Sequence, residues 1–414
     1  MSKDKKDILL ITHYYHFPSE KDSSRYRTLA QLIAGDDRFD LEVVTSSFYH
    51  RTKQQRDRQA CLAQQDFRVT LVDEPGYSKN ISLARLHSAK VFGRNVLAYL
   101  KGRKRPDLIY QVVPSLDVAD EVSRFAKENK IPLMVDIQDL WPEAFKMAID
   151  IPVVSDIAFY PMLRKANRIY SRADSIVAVS DTYVERGLSV NRQCKKGLSV
   201  YIGTDMDLAR EKMAPHTVSK PEGEFWVTYI GALGHSYDIE LIIKALAALK
   251  EKGIDNLVFH VMGEGVRMER FEQTARELGV NAVFHGHTQY GLMMARLAAS
   301  DVAVNPIVGK SAASIINKVA DYAAAGVPVV NTQNSEEYRR LLERYRAGIN
   351  CPAGDVESTA QAILQLYEDE TLRNEMRMGQ QRLAKDKFSR GDTYPKLLAC
   401  MHELLNSKTG SEHP

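Results

Sequence analysis

The chain has 414 residues, room for two domains with full cores, and its 44% apolar and 26% charged content is that of an ordinary globular protein. A formal net charge of +3 offers no bulk attraction to nucleic acid, so no nucleic-acid partner is expected, and Cys61, Cys194, Cys351 and Cys400 are too scattered for a metal or redox motif. No apolar run approaches the ~18 residues that span a bilayer, and MSKDKKD runs straight into a core strand, so a cytoplasmic protein with at most peripheral membrane contact is expected.

Residues 8–12 (ILLIT) read as a fully buried first strand and residues 41–47 (LEVVTSS) as the second. Between them Ser24 is placed to cap a helix running from Arg25 to Ala34. A third strand covers 67–74, a helix with basic and apolar faces 81–100, and strands at 107–113 and 132–138 bracket a helix at 117–129. This alternation predicts a parallel, doubly wound sheet. Ligands gather at the carboxyl ends of such strands, so Ser23, Ser24, Arg25, His50, Arg51 and Lys53 are expected to line one crevice. Basic residues concentrate in HRTKQQRDR (50–58) and KGRKRP (101–106). They form either a solvated face or a contact for an acidic membrane surface or a pyrophosphate-bearing acceptor. A helix at 155–170, a strand and helix in ADSIVAVSDTYVERGL and the string SVYIGTD close a first domain over 1–205. Residues 206–224, with two prolines and little periodicity, read as a linker.

The second series begins with a strand at 225–230, a turn containing Gly231, Leu233 and Gly234, and a helix from Asp238. A strand at 256–265 ends in Gly263, Glu264 and Gly265, the next at 282–288 carries His285 and His287, and a helix spans 289–299. The stretch DVAVNPIVGKSAASIINKVADYAAAGVPVVN (301–331) reads as a strand, a small-residue loop at 309–314, a helix at 315–325 and a second strand. Gly326 stops that helix, and Pro328 keeps the chain extended. The helix opens toward the loop, so its free N–H groups and positive dipole end make an anion site. Lys318 in the first turn and Asp321 one turn later on the same face offer a cation for phosphate and a carboxylate for sugar hydroxyls. That pairing suits a nucleoside diphosphate. An amphipathic helix near 391–407 ends the chain.

The run NKVADYAAAGVPVV resembles the nucleotide-sugar motif of family 4 glycosyltransferases, retaining enzymes of the GT-B fold. DIQDLWPEAF resembles the D-x-R/Q-D-L-W-P-E signature of bacterial sugar transferases that build surface polysaccharide, and SVYIGTD is similar to the string closing the family's first domain. The resemblance spans nearly the whole chain. It implies an α/β protein with two Rossmann-like, doubly wound parallel-sheet domains facing a cleft, at 1–205 and 225–388, with residues 389–414 crossing back to the first domain. The implied activity is a retaining transfer of sugar from a nucleotide sugar, UDP favoured over GDP, to a lipid-linked or oligosaccharide acceptor. The implied setting is envelope polysaccharide synthesis (capsule or O-antigen) at the inner face of the cell membrane. A nucleotide-sugar epimerase of the same fold and a non-catalytic subunit stay open as alternatives.

Carried onto this sequence, the resemblance gives Asp321 the ribose of the donor. Lys318, Asn317, Ser314, Gly231, Leu233, Gly234 and His235 meet its diphosphate, and Gly263, Glu264 and His285 lie around its nucleotide. On the acceptor side Asp139 handles the reacting hydroxyl, and Gln138 stands where many relatives carry a histidine and serves only to position by hydrogen bonding. Glu143 joins Ser23, Ser24, Arg25, His50 and Lys53 around the acceptor. No DxD-like metal cradle is evident, so no metal and no cofactor is expected. Eight residues before Asp321, where the family motif has a second Glu, this chain has Ala313, which leaves the donor sugar without that carboxylate.

Overall fold

A computed structural model of the chain describes residues 5–20, 24–143, 154–194, 196–308 and 315–409. The chain folds as two compact units, Met1–Tyr201 with Tyr394–Pro414, and Ile202–Thr393.

In the first unit the strands are β1 (Lys6–Ile11), β2 (Phe39–Ser46), β3 (Phe48–Tyr49), β4 (Gln54–Gln55), β5 (Arg68–Val72), β6 (Leu108–Val113), β7 (Leu133–Ile137), β8 (Ser175–Ala178) and β9 (Leu198–Ser199). Seven of them form one parallel sheet in the order β5-β2-β1-β6-β7-β8-β9. Such a sheet is covered by helices on both faces, which is why β6 and β7 are buried at every position rather than at alternate ones. The strand order reverses between β1 and β6, where an open parallel sheet offers its crevice. The remaining two strands, β3 and β4, pair antiparallel just beyond the carboxyl end of β2.

Helix Arg25–Ala34 starts where the serine cap placed it, with the Ser24 side chain accepting the Arg27 N–H. The closing segment is divided. Arg390–Thr393 is a short helix of the second unit, and Pro395 opens a helix to Thr409, a first-turn position that suits proline. Tyr394, Leu397 and Met401 from this last segment are fully buried in the first unit's core with Ile8 and Leu10.

The second unit holds β10 (Phe225–Ile230), β11 (Leu257–Met262), β12 (Ala282–Phe284), β13 (Val302–Asn305), β14 (Val329–Asn331) and β15 (Gly348–Asn350). They form a parallel sheet in the order β12-β11-β10-β13-β14-β15, reversing between β10 and β13. Residues 206–224, read as linker, open instead with helix Met206–Met213, capped by the Asp205 carboxylate on the Leu208 N–H. At eight residues it is too short to show a period in sequence. It is held by close backbone approach, since a Cβ on Gly291 would stand 2.0 Å from the Lys212 carbonyl oxygen. Helix Lys318–Ala325 ends at Gly326, whose φ of 66° is the left-handed stop read from sequence. Among the described residues, no helix is long and apolar enough to cross a membrane.

Candidate functional site

In the second unit the loops after β10, β11 and β12 stack backbone on backbone. Gly263 has φ of +152°, and a Cβ there would stand 1.8 Å from the Gly231 carbonyl oxygen, so only glycine fits. Gly231 N–H donates to the Met262 carbonyl and Leu233 N–H to the Glu264 carbonyl, each at 2.9 Å. These two amides were expected to approach a diphosphate. They are spent instead on fixing one loop against the next, and the Leu233 side chain is wholly buried. Gly263 N–H in turn donates to the Gly286 carbonyl at 2.9 Å. Gly234 keeps open space where a side chain would be, and His235 beside it is exposed. Glu264 is exposed, and its carboxylate accepts the His287 N–H at 3.1 Å.

Lys318 lies directly under this turn. Its Nζ stands 3.0 Å from where a Cβ of Gly231 would be, donates to the Tyr229 hydroxyl at 2.8 Å, and lies 4.0 Å and 3.9 Å from the ring centres of Tyr229 and Tyr237. Burial alone drives its pKa well below the usual lysine value, with no carboxylate among the causes. The amine thus lies against two aromatic rings with a neutral hydroxyl as its hydrogen-bond partner. The lysine was legible in sequence. Tyr229 and Tyr237, which hold it, were missed; a tyrosine two residues before Gly231 was the available signal.

Asp321, one turn on, accepts from the Thr204 hydroxyl at 2.9 Å and the Tyr290 hydroxyl at 3.0 Å. Burial, then this carboxylate, raises the Tyr290 pKa. The side chains of Lys318 and Asp321 therefore reach different partners, one under the Gly231 turn and the other toward Thr204 and the start of helix Tyr290–Ala299. His285 is bound on both ring nitrogens, to His260 at 2.9 Å and to Arg296 at 3.0 Å, so its imidazole serves the sheet edge. Asn317 is exposed at the start of helix Lys318–Ala325, and its side chain makes no capping bond. Ser314 lies outside the described residues.

In the first unit, Arg25 is not an acceptor contact. Its guanidinium is buried and pairs with Asp136 at 3.2 Å, and it also donates to the carbonyls of Val200 and Tyr201 at 2.7 and 3.1 Å. Tyr26 and Tyr110 add hydroxyl bonds to the same Asp136 carboxylate, at 3.3 and 2.7 Å. Desolvation pulls the Arg25 pKa down, but Asp136 together with Tyr394, Tyr110 and Tyr26 holds it well above the ordinary value. Ser24 is likewise buried and used as the helix cap. Glu143 pairs through Oε1 with Arg186 at 2.6 Å, and its Oε2 is buried with no hydrogen-bond partner among the described residues. Ser23 lies outside the described residues. Asp136, the first acid of DIQDLWPE, was passed over for the second.

Asp139 remains on the surface while neighbouring protein atoms crowd its carboxyl enough for desolvation to raise its pKa. Gln138 beside it donates its backbone N–H to the Val113 carbonyl at 2.8 Å and keeps a partly exposed side chain. His50 and Lys53 come together with two residues not singled out in sequence, Tyr77 and Arg85. The His50 imidazole bonds the Tyr77 hydroxyl, and Lys53 Nζ stands 3.2 Å from the His50 ring. Burial, then Lys53 and Arg85, lower His50 to about 4. Arg51 is exposed nearby. Among the described residues no group of His, Cys, Asp or Glu could hold a metal ion.

Residues 224–369 match the family described as glycosyl transferases group 1. No curated protein matches the chain. Among solved structures, sucrose-phosphate synthase from Thermosynechococcus elongatus is 16% identical with a TM-score of 0.68, covering 97% of this chain and 100% of its own. HepE of Anabaena, in complex with UDP, is 15% identical with a TM-score of 0.65, covering 96% of this chain and 100% of its own. WaaG, described as a glycosyltransferase involved in lipopolysaccharide biosynthesis, is 16% identical with a TM-score of 0.58, covering 94% of this chain and 98% of its own. At these identities the likeness is one of fold, and that fold is GT-B with two Rossmann-like domains.

Proposed function

We propose that this protein is a retaining glycosyltransferase that takes its sugar from a nucleoside diphosphate donor, UDP favoured, and passes it to a lipid-linked or oligosaccharide acceptor in bacterial envelope polysaccharide synthesis. The observation that carries the donor half is Lys318, a buried amine facing a glycine turn with aromatic and hydroxyl neighbours. The family match over 224–369 covers that region, and the HepE structures hold UDP and UDP-glucose.

The leaving diphosphate gains negative charge as the glycosidic bond breaks, and a preset cation lowers the barrier because it does not reorganise. Lys318 supplies that charge in place of a metal, and the opening of helix Lys318–Ala325 adds its dipole. Asp321 orients the ribose, exchanging one of its present hydroxyl partners for a ribose hydroxyl. At the acceptor, Asp139 receives or orients the attacking hydroxyl while Gln138 positions it, and attack on the donor's own leaving-group face gives retention.

Incubation with a panel of UDP-sugars and envelope lipid extract tests the reading. Transfer that persists in EDTA, and falls in Asp139→Asn while UDP affinity is kept, is the expected result. Asp321→Ala is expected to weaken UDP binding by about 1–3 kcal/mol, the range for a lost bond to a charged group. A C2 epimer formed from UDP-sugar alone would favour the epimerase. UDP binding with no transfer would favour the non-catalytic subunit, which Ala313 makes the sharper rival.

A further inference from the structure

The carboxylate assigned to the ribose is already engaged on one of its oxygens. Asp321 Oδ1 accepts both the Thr204 hydroxyl at 2.9 Å and the Tyr290 hydroxyl at 3.0 Å. Each carboxylate oxygen has two lone pairs, so these two bonds fill that oxygen. A ribose diol, with two adjacent hydroxyls, engages both oxygens of one carboxylate. One of the present partners must then leave.

The two hydroxyls are held differently. Tyr290 is the first residue of helix Tyr290–Ala299, and Gly291 beside it packs so closely on the Lys212 carbonyl that a Cβ has no room. That backbone is not free to draw the phenol away from Asp321. A phenol is also a stronger donor than an aliphatic hydroxyl, and burial and Asp321 both keep this one protonated. Thr204 is fixed by its backbone alone. Its N–H donates to the Phe388 carbonyl at 2.7 Å, and its carbonyl accepts the Arg390 N–H at 3.1 Å. Rotation about χ1 therefore takes the Thr204 hydroxyl off Asp321 and leaves the backbone in place.

We infer that Tyr290 aims Asp321 at the ribose, while Thr204 competes with the ribose for the same oxygen and reclaims it as the nucleotide leaves. Both are positioning residues that act through Asp321. Tyr290 strengthens nucleotide binding, and Thr204 hastens release of the spent nucleotide, a step that limits turnover in many enzymes. The inference rests on the ribose role proposed for Asp321 and goes beyond it by giving its two hydroxyl partners opposite effects.

Calorimetry of UDP binding and stopped-flow UDP release, both on the full chain, test this. Thr204→Val removes the competing hydroxyl and is expected to bind UDP about tenfold more tightly and release it more slowly, the size of one bond to a charged group. Thr204→Ser keeps a hydroxyl and is expected to match the wild type. Thr204→Ala removes the same hydroxyl and serves if the valine variant does not fold. Tyr290→Phe is expected to bind UDP about tenfold more weakly. With a dideoxyribose analogue of UDP, which has no diol, the gain in Thr204→Val is expected to vanish. Unchanged or weaker UDP binding without the Thr204 hydroxyl overturns the inference, as does an equal gain with the dideoxy analogue or tighter binding by Tyr290→Phe. The wild-type chain separates the readings. No UDP binding by it removes the donor site and this inference with it, whereas UDP binding with no gain in Thr204→Val removes this inference alone.

Discussion

Lys318 carries an unusual consequence for stability. An amine buried without a carboxylate costs the apo fold, because its charged form loses water and gains only a phenol in return. Replacing such a group by an apolar residue of similar length is commonly neutral or stabilising. Lys318→Met is therefore expected to raise the unfolding free energy by about 1 kcal/mol while lowering UDP affinity, and thermal scans with and without UDP read both. A variant that loses stability and affinity together would make Lys318 a structural residue. Arg25 and Asp136 should behave in the opposite way. Removing one partner of a buried pair strands the other charge, so Asp136→Asn is expected to cost about 3–5 kcal/mol in urea unfolding. UDP affinity under folding conditions should be unchanged, because this cluster lies in the first unit's core.

At the scale of elements, the glycine turns act by letting two loops touch. Gly263 combines φ of +152° with a carbonyl 1.8 Å from any added Cβ. Gly263→Ala is expected to destabilise by about 1–3 kcal/mol, the cost of a strained backbone, and to weaken UDP binding through displacement of the turn over Lys318. Gly102→Ala, into open space in the first unit, is the control expected to lower neither. These turns were legible in sequence as glycines ending strands. Their hydrogen bonds were not, because which loop faces which depends on strand order. The amides of Gly231 and Leu233 were accordingly assigned to a ligand when they bind Met262 and Glu264. Short elements escaped for a different reason. The hairpin of β3 and β4 and the helix Met206–Met213 are shorter than the window in which a period can be recognised.

For the whole molecule, the two parallel sheets were readable because their strands are buried on both faces and so appear as unbroken apolar runs, as LIYQVV and FWVTYI do. The site was readable only as residue types. Arg25 after a serine cap looks the same in sequence whether it points to a ligand or to Asp136, and the choice was made by a strand 111 positions away. Lys318 sits in a local motif, so its place at the start of its helix was readable, whereas its packing against Tyr229 and Tyr237 was not.

The central claim is that this amine receives the donor's diphosphate. In the free protein its pKa is depressed, and a bound diphosphate returns it toward the ordinary value of about 10.4. Between the two values UDP binding must take up a proton, so affinity should fall as pH rises through that window. Calorimetric titration of UDP from neutral pH upward, in buffers of different ionisation enthalpy, measures this uptake. The wild-type protein is expected to bind UDP with proton uptake and falling affinity, and Lys318→Met to bind weakly without it. No UDP binding, or the same uptake in both proteins, would contradict the assignment.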